Sequence, residues 1–248
     1  MAILGSICIG LSKGAFPGMS TLAIGLYANI FEPSESMGII IIILFLANIV
    51  SVVIFRRFAD WMCIARLMPF TAIGVVLGYL FLLWMPSQHI GQLIGLMLLL
   101  MTAIHFYRQF RASENLDPQI NILKPLNNPS PFFSSSSLFI GLLSGFSSMV
   151  ANAAGPITII YLLSIRLEKF RFIATMAWLY LILNALKIPF HVSLGNINAF
   201  SLKLSVALGV VAIATVLISP LIVKRIPQKL FNFITWSFVI IASLKLIF

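Results

Sequence analysis

Charged side chains are scarce in this sequence. Asp, Glu, Lys and Arg make up 9% of the residues, whereas a soluble domain carries roughly 25%. With so little charge and 60% hydrophobic residues, the chain cannot cover itself with a water-facing surface. Its apolar stretches are long enough for α-helices that cross a bilayer, so we expect an all-α integral membrane protein in contact with lipid. One membrane domain accounts for nearly all of the 248 residues and leaves no room for a second, soluble domain.

Acidic residues are the rarest charged class, with six in the whole chain. None lies inside a predicted membrane span, and four of them fall in loops between spans: Glu32, Glu35, Asp60 and Glu168. This absence disfavours a carboxylate proton relay or a sodium site built only from carboxylates. Backbone carbonyls remain available as sodium ligands, so ion coupling stays open.

Cysteine and histidine are also few. Cys8 and Cys63 form no CxxC pair, and His89, His105 and His191 lie far apart in sequence. Metal or redox chemistry is therefore not expected, and neither is a cofactor. The net charge of +10 does not indicate nucleic-acid binding, because Lys and Arg sit in short loops between apolar spans, where they set orientation.

The hydrophobic pattern divides the chain into two similar halves. Six segments approach the roughly 20 residues that a membrane helix needs, and they are residues 36–55, 66–84, 89–107, 172–190, 200–223 and 230–248. The segments 2–30 and 136–164 are longer and are interrupted by Gly and Pro. We therefore predict a first repeat over residues 1–107, a cytoplasmic linker over residues 108–135 and a second repeat over residues 136–248.

The basic loops predict how the halves are oriented. They hold Arg56 and Arg57 in the first half, and the ranges 166–171 and 224–229 in the second. If all eight segments were ordinary transmembrane helices, these loops would lie on opposite sides, against the positive-inside tendency. The conflict disappears if each interrupted segment is a hairpin of two half-helices. The halves are then inverted repeats, each a hairpin plus three transmembrane helices, with every basic loop in the cytoplasm and both chain ends outside. We favour this arrangement over eight ordinary helices.

The first interruption holds the most informative residue, Lys13, near the middle of an apolar stretch. A lysine at that depth costs roughly 3 kcal/mol, so it is a functional-site hypothesis by default. Pro17 disfavours helix at the preceding residue, and a helix that restarts nearby offers free amides as an anion site. The candidate substrate-binding residues here are Lys13, Gly14, Gly18, Met19 and Ser20. The alternative is close helix packing through glycines spaced four apart.

The second interruption supplies a matching set of candidates. Asn152 occupies a place close to that of Lys13, and a half-helix that begins at Gly155 would offer the amides of Ile157 and Thr158 and the Thr158 hydroxyl. The alternative is a kinked core helix whose serines bond their own backbone. Two further candidates, Asn48 and Asn184, lie in the spans that follow the interruptions. For these two, interhelical hydrogen bonding is an equally good explanation.

These motifs together resemble the TauE/SafE sulfite-exporter family. The resemblance rests on Gly10-Leu-Ser-Lys13-Gly14-Ala-Phe-Pro17-Gly18, Asp60-Trp61, Gly141-Leu-Leu-Ser-Gly145 continuing through Asn152-Ala-Ala-Gly155-Pro156, Arg166-Leu-Glu-Lys-Phe-Arg-Phe and Asn184-Ala-Leu-Lys187-Ile-Pro189. It covers nearly the whole chain in order. It implies a bacterial inner-membrane transporter of small, often sulfur-containing anions such as sulfite or sulfonates.

Three functional classes follow from this reading. The favoured one is an anion transporter in which two inverted halves alternate access to a site at the half-helix N-termini. A passive anion channel would use the same residues in a continuously open path. A membrane-embedded enzyme or assembly factor would need a nucleophile, an acid/base pair or a metal cluster at depth, and the sequence offers none.

Overall fold

The computed structural model describes residues 1–28, 30–84, 135–152, 154–165, 167–235 and 237. These residues form helices and connecting turns, with no β-strand among them. Four helices are long and apolar enough to cross a membrane: α3 (Pro33–Phe55), α4 (Trp61–Trp84), α7 (Lys169–Ser193) and α8 (Ala199–Arg225). The shorter helices are α1 (Ala2–Gly14), α2 (Ser20–Ala28), α5 (Ser135–Ala151) and α6 (Ala154–Ser164). Residues 228–235 are also helical.

The helix boundaries agree with the predicted spans and extend them by a few residues. The clearest difference is α4, which begins at Trp61 and not at residue 66. Asp60 starts this helix, because its carboxylate accepts a hydrogen bond of 3.0 Å from the Cys63 backbone N–H in the first turn. Three predicted segments lie wholly or mostly outside the described residues: the span 89–107, the linker 108–135 up to residue 134, and most of the span 230–248.

The first interrupted segment folds back on itself. The Tyr27 hydroxyl, near the end of α2, donates to the Ala2 carbonyl at 3.0 Å and lies 2.7 Å from the Ser6 hydroxyl. In one continuous helix, residues 2 and 27 would be about 38 Å apart. The helices α1 and α2 therefore lie side by side, joined by the turn at residues 15–19.

The second interrupted segment does the same. The hydroxyls of Ser144 in α5 and Thr158 in α6 are 2.8 Å apart and hydrogen-bonded. A continuous helix would separate these positions by about 21 Å. The break falls between Ala151, where α5 ends, and Ala154, where α6 begins.

Each half-helix hairpin packs on a long helix from the other half of the sequence. Helix α1 packs on α8, and helix α5 packs on α4. Gly10 and Gly14 of α1 face Thr215 and Ser219 of α8, while Gly74 of α4 and Gly145 of α5 face the backbone of the opposite helix. These small residues let the backbones approach closely, as the packing interpretation of the glycine spacing expected. The long helices α3 and α7 also pack against each other near the centre.

One end of the molecule gathers the basic loops. Arg171 at the start of α7 pairs with Asp60 in the α3–α4 loop at 3.0 Å. Lys169 donates hydrogen bonds to the carbonyls of Val223 and Ile226, at 3.0 and 2.6 Å, where α8 ends. The basic segments around Arg56, Arg171 and Lys224 are therefore neighbours.

The opposite end gathers the weakly charged loops. Gly38, in the second turn of α3, lies against the backbone of Asn196 in the α7–α8 loop. Helices α3 and α7 consequently run in opposite directions between the two ends.

The surface of α8 away from the core is apolar, with Val206, Val210, Leu217 and Leu221 all exposed. Their successive spacings of four, seven and four residues put them on one face of the helix. An exposed apolar stripe on a helix of 27 residues fits contact with lipid.

Candidate functional site

A cavity lies where the two helix breaks meet α7. It is bounded by the breaks themselves, by both neighbouring half-helices and by side chains of α3 and α7. The lining residues are Ser12, Lys13, Pro17, Gly18, Ser20, Leu44, Ser148, Asn152, Ala154, Gly155, Ile173, Met176, Ala177, Tyr180, Asn184 and Lys187. Residues more than a hundred positions apart in sequence therefore face one space.

Lys13 reaches this cavity from the last turn of α1. Its ammonium lies 4.4 Å from the centre of the Tyr180 ring, within the range of a cation–π interaction. Within the part of the chain that the structure describes, the ammonium takes part in no ion pair and no hydrogen bond. Its three N–H donors are therefore available to a ligand in the cavity.

The charge of the cavity lining has one sign. Two lysines, Lys13 and Lys187, belong to it, and no Asp or Glu is among the lining residues that the structure describes. The described ion pair, between Arg171 and Asp60, lies at the basic end, where the two side chains are 51% and 21% exposed. A cavity with cations and without carboxylates favours an anionic ligand.

Each helix break contains a residue in the left-handed region of backbone conformation. Gly18 has a φ of 97° and Asn152 a φ of 52°. Glycine adopts this region without a steric penalty, and asparagine tolerates it better than most residues. Both residues line the cavity, and each precedes the N-terminus of a half-helix, at Ser20 and Ala154. The positive ends of two helix dipoles thus border the same space.

Gly155 keeps the second of these N-termini open. A Cβ built at this glycine would meet nothing closer than the Ser20 hydroxyl oxygen, at 4.0 Å. The open space next to Gly155 is the cavity, and Ser20 stands at the start of the opposite half-helix, α2. The two helix N-termini therefore face each other.

Six of the eleven residues predicted for the site line this cavity: Lys13, Gly18, Ser20, Asn152, Gly155 and Asn184. The other five lie elsewhere. Gly14 packs against Ser219 of α8. The Met19 amide was expected to be free, but it donates to the Phe16 carbonyl at 3.2 Å.

Ile157 and Thr158 lie deeper than expected because α6 begins at Ala154, one residue before the predicted start. Thr158 is then the fifth helical residue, and its amide falls within the reach of regular helical hydrogen bonding. Its hydroxyl holds α5 and α6 together through Ser144 instead of facing the cavity. The Ile157 side chain is fully buried in the protein interior.

Asn48 does not line the cavity but lies close to it. It is fully buried on α3, one turn after the lining residue Leu44, and neither polar atom of its amide has a hydrogen-bond partner within the described residues. One turn further, the Ser51 hydroxyl donates to the Lys13 carbonyl at 2.6 Å. Ser51 therefore satisfies a carbonyl that the end of α1 leaves free.

Tyr180 and Lys187 line the cavity but were not among the predicted site residues. Tyr180 is aromatic in an apolar span, which by itself predicts ordinary core packing. Lys187 lies near the end of its span, so from sequence an extension toward the membrane surface was at least as good an interpretation as a place in the site. In the structure it is fully buried and turned inward. Its spacing from Tyr180 and Asn184, seven and three residues, puts all three on one helix face and was the available signal.

An all-helical membrane protein with a cavity at two interrupted helices is typical of solute transporters. The described residues contain no cluster of His, Cys, Asp and Glu that would hold a metal ion. The family model for Sulfite exporter TauE/SafE matches residues 2–246, nearly the whole chain. The chain belongs to this family, so the family prediction from the motifs is confirmed. Membership indicates a membrane transporter of sulfite or related anions, since members of the family are transporters and not enzymes. No curated protein and no solved structure matches the chain.

Proposed function

We propose that this protein carries a small sulfur oxyanion or sulfonate across the bacterial inner membrane by alternating access. The anion binds in the cavity, between the Lys13 ammonium and the N-termini of α2 and α6. The observation that carries this proposal is the Lys13 ammonium, which faces a cavity without a carboxylate among its described lining and forms no ion pair or hydrogen bond within the described residues. A bound anion supplies the hydrogen-bond acceptors and the opposite charge that this lysine lacks.

The mechanism assigns the two halves to inverted repeats. Three features support this assignment. The first hairpin has its open end beside the acidic loop, whereas α6 of the second hairpin leads into the basic loop. Helices α3 and α7, at equivalent places in the two halves, run in opposite directions. The packing of α1 on α8 is matched by that of α5 on α4. A pseudo-two-fold axis in the membrane plane would relate these pairs, with the cavity near the axis.

The basic end faces the cytoplasm in this proposal. The three loops that meet there carry most of the Lys and Arg of the described residues, and such loops are retained inside. The acidic loop with Glu32 and the α7–α8 loop then face outward.

This orientation can be tested by labelling single cysteines in a chain whose Cys8 and Cys63 have been replaced by Ala. Cysteines at Ser34→Cys and Asn196→Cys should react with an impermeant reagent added outside intact cells, and Ser113→Cys should react only after permeabilisation. If Ser34→Cys and Asn196→Cys react from opposite sides, the inverted repeat is wrong and eight ordinary transmembrane helices describe the chain better.

The binding proposal is tested with the purified protein. A ligand that binds only the folded state raises the unfolding temperature, and a hundredfold excess over Kd adds about 2.7 kcal/mol to stability. Sulfite, thiosulfate, sulfoacetate, taurine and sulfate should be compared at equal ionic strength, with Lys13→Met as the matched control. Stabilisation by at least one anion in the wild type, and its loss in Lys13→Met, is the expected result. No stabilisation by any of them would contradict the proposal.

A carrier is distinguished from an open channel by flux through reconstituted vesicles. For a carrier, influx of labelled anion saturates with concentration and accelerates when unlabelled anion is present inside. Flux that rises linearly and ignores the inside anion would favour a passive channel.

A further inference from the structure

The two lysines of the cavity have different surroundings. The Lys13 ammonium contacts an aromatic ring, whereas the Lys187 ammonium has three close oxygen acceptors. It donates to the Ser148 carbonyl at 2.7 Å, to the Ser148 hydroxyl at 2.9 Å and to Asn152 Oδ1 at 2.6 Å. An ammonium group has three N–H donors, so these contacts use all of them. Lys187 is therefore committed to the second helix break and not available to a ligand.

The contact with Lys187 fixes which way the Asn152 amide points. A carboxamide has an accepting oxygen on one side and a donating NH₂ group on the other, and an ammonium can only donate. The 2.6 Å contact therefore holds the oxygen against Lys187 and leaves the NH₂ group on the opposite side. Asn152 lines the cavity, and its NH₂ group forms no hydrogen bond within the described residues.

The backbone restrains Asn152 as well. Its φ is 52°, and its N–H donates to the Ser148 carbonyl at 3.0 Å, the same oxygen that Lys187 contacts. Main chain and side chain are thus both fixed by contacts around Ser148. An asparagine held in this way presents its NH₂ group to the cavity, and the side-chain amide does not have to reorient when a ligand binds.

In the first half of the chain, the shorter side chain of Ser51 occupies the position equivalent to Lys187. The same number of positions separates Ser51 from Lys187 and Asn48 from Asn184. Ser51 bonds the Lys13 carbonyl at the end of α1, as Lys187 bonds the Ser148 carbonyl near the end of α5. A serine is therefore sufficient to satisfy the end of a half-helix. Lys187 adds contacts with the Ser148 hydroxyl and with Asn152 Oδ1, and the second of these reaches a residue that lines the cavity.

We infer that Lys187 is a positioning residue for anion binding, because it holds the Asn152 amide so that its NH₂ group, and not its oxygen, faces the anion. This inference rests on the proposed function of the cavity. Without Lys187 the amide is free to turn its oxygen toward a negative ligand, and a donor becomes an acceptor. Loss of one hydrogen bond to a charged group is expected to weaken sulfite binding by about tenfold or more.

The test is a double-mutant cycle on the purified full-length protein, with sulfite as the probe and thermal stabilisation as the readout. Lys187→Met removes the donors and keeps a similar stem. It should weaken sulfite binding about tenfold in the wild-type background and change it little in the Asn152→Ala background. An equal loss in both backgrounds would overturn the inference, since Lys187 would then act on the anion directly. A loss of stability without sulfite and no change in sulfite affinity would also overturn it.

A second measurement does not depend on Lys187 variants being folded. In wild-type protein labelled with ¹⁵N in asparagine side chains, the Asn152 NH₂ signals, identified by their absence in Asn152→Ala, should shift when sulfite is added. Unchanged signals at saturating sulfite would overturn the inference. If the wild type binds none of the tested anions, the proposed function fails instead, and the two failures are distinguishable.

Discussion

Replacing Lys13 should raise the stability of the ligand-free protein and lower its affinity for sulfite. Lys13→Met keeps much of the apolar stem and removes the ammonium. A lysine in an apolar span costs about 3 kcal/mol, and the contact with Tyr180 returns about 0.5–2 kcal/mol of that. The variant without sulfite should therefore be at least as stable as the wild type, and up to about 2.5 kcal/mol more stable by these magnitudes.

Sulfite affinity should fall in the same variant. A cation and an anion 4 Å apart attract by about 4 kcal/mol at an effective dielectric constant of 20, and by about 1 kcal/mol in water. Lys13 is only partly buried, so its contribution lies between these limits. Since 1.4 kcal/mol is a factor of ten, the expected loss of affinity is between about fivefold and a thousandfold.

The assay is thermal unfolding of the purified variant over a sulfite titration, which gives stability without ligand and Kd from the same samples. Lys13→Arg is the companion variant. It keeps the charge, but its planar fork does not replace a compact ammonium above the Tyr180 ring, so intermediate affinity is expected. If Lys13→Met binds sulfite with wild-type affinity, Lys13 does not take part in anion binding. A variant that is destabilised without sulfite would show that Lys13 supports the fold.

Further predictions concern the second helix break and the basic end. Gly155→Leu should abolish anion flux through vesicles by filling the cavity, while Gly155→Ala, whose Cβ lies 4.0 Å from the Ser20 hydroxyl oxygen, should retain most of it; equal flux in both variants would contradict the assignment. Gly145→Leu should reduce the yield of folded protein, because a Cβ there falls 2.9 Å from the Val75 backbone nitrogen, and normal yield and melting would show that α4 and α5 separate easily. Asn152→Asp should bind sulfite more weakly than Asn152→Ala, since a carboxylate repels the anion; equal or better binding would argue against an anion at this position. Arg171→Ala should lower stability by less than about 1 kcal/mol in denaturant or thermal unfolding, because the Arg171 side chain is 51% exposed and surface ion pairs contribute little; a larger loss would indicate a structural role.

The sequence locates the helix breaks well because Gly and Pro act locally. Pro17 and Gly18 restrict or free the backbone wherever they stand, so the first break can be predicted without knowing any tertiary contact. The same holds for Lys13, since a lysine in an apolar run is costly in any packing arrangement. The family motifs fall on these same residues, which is why recognition and physical reasoning agree.

The rotation of each helix about its axis cannot be predicted from local sequence. Whether Asn184 or Asn48 faces the cavity depends on which neighbour each span meets, and the two asparagines differ although they are equivalent in sequence. The place of Lys187 stayed open for the same reason, because a position near a span end suggests the membrane surface and its contacts with Ser148 and Asn152 depend on tertiary packing. Met19 and Ile157 differ from prediction because the two half-helices begin one or two residues away from the expected positions.

The exchange of hairpins between the halves has a consequence for how such a chain arises and assembles. Neither half covers its own glycine-rich face: the face of α1 is completed by α8, and that of α5 by α4. A single half released from the ribosome has no partner for this face until the other half follows. Under the proposed inverted-repeat arrangement, an ancestor of half this length would have met the same need with a second, oppositely inserted copy of itself. The fused chain makes that pairing intramolecular, so its halves are free to diverge, with the proposed anion contact at Lys13 in the first half and the proposed positioning residue Lys187 in the second.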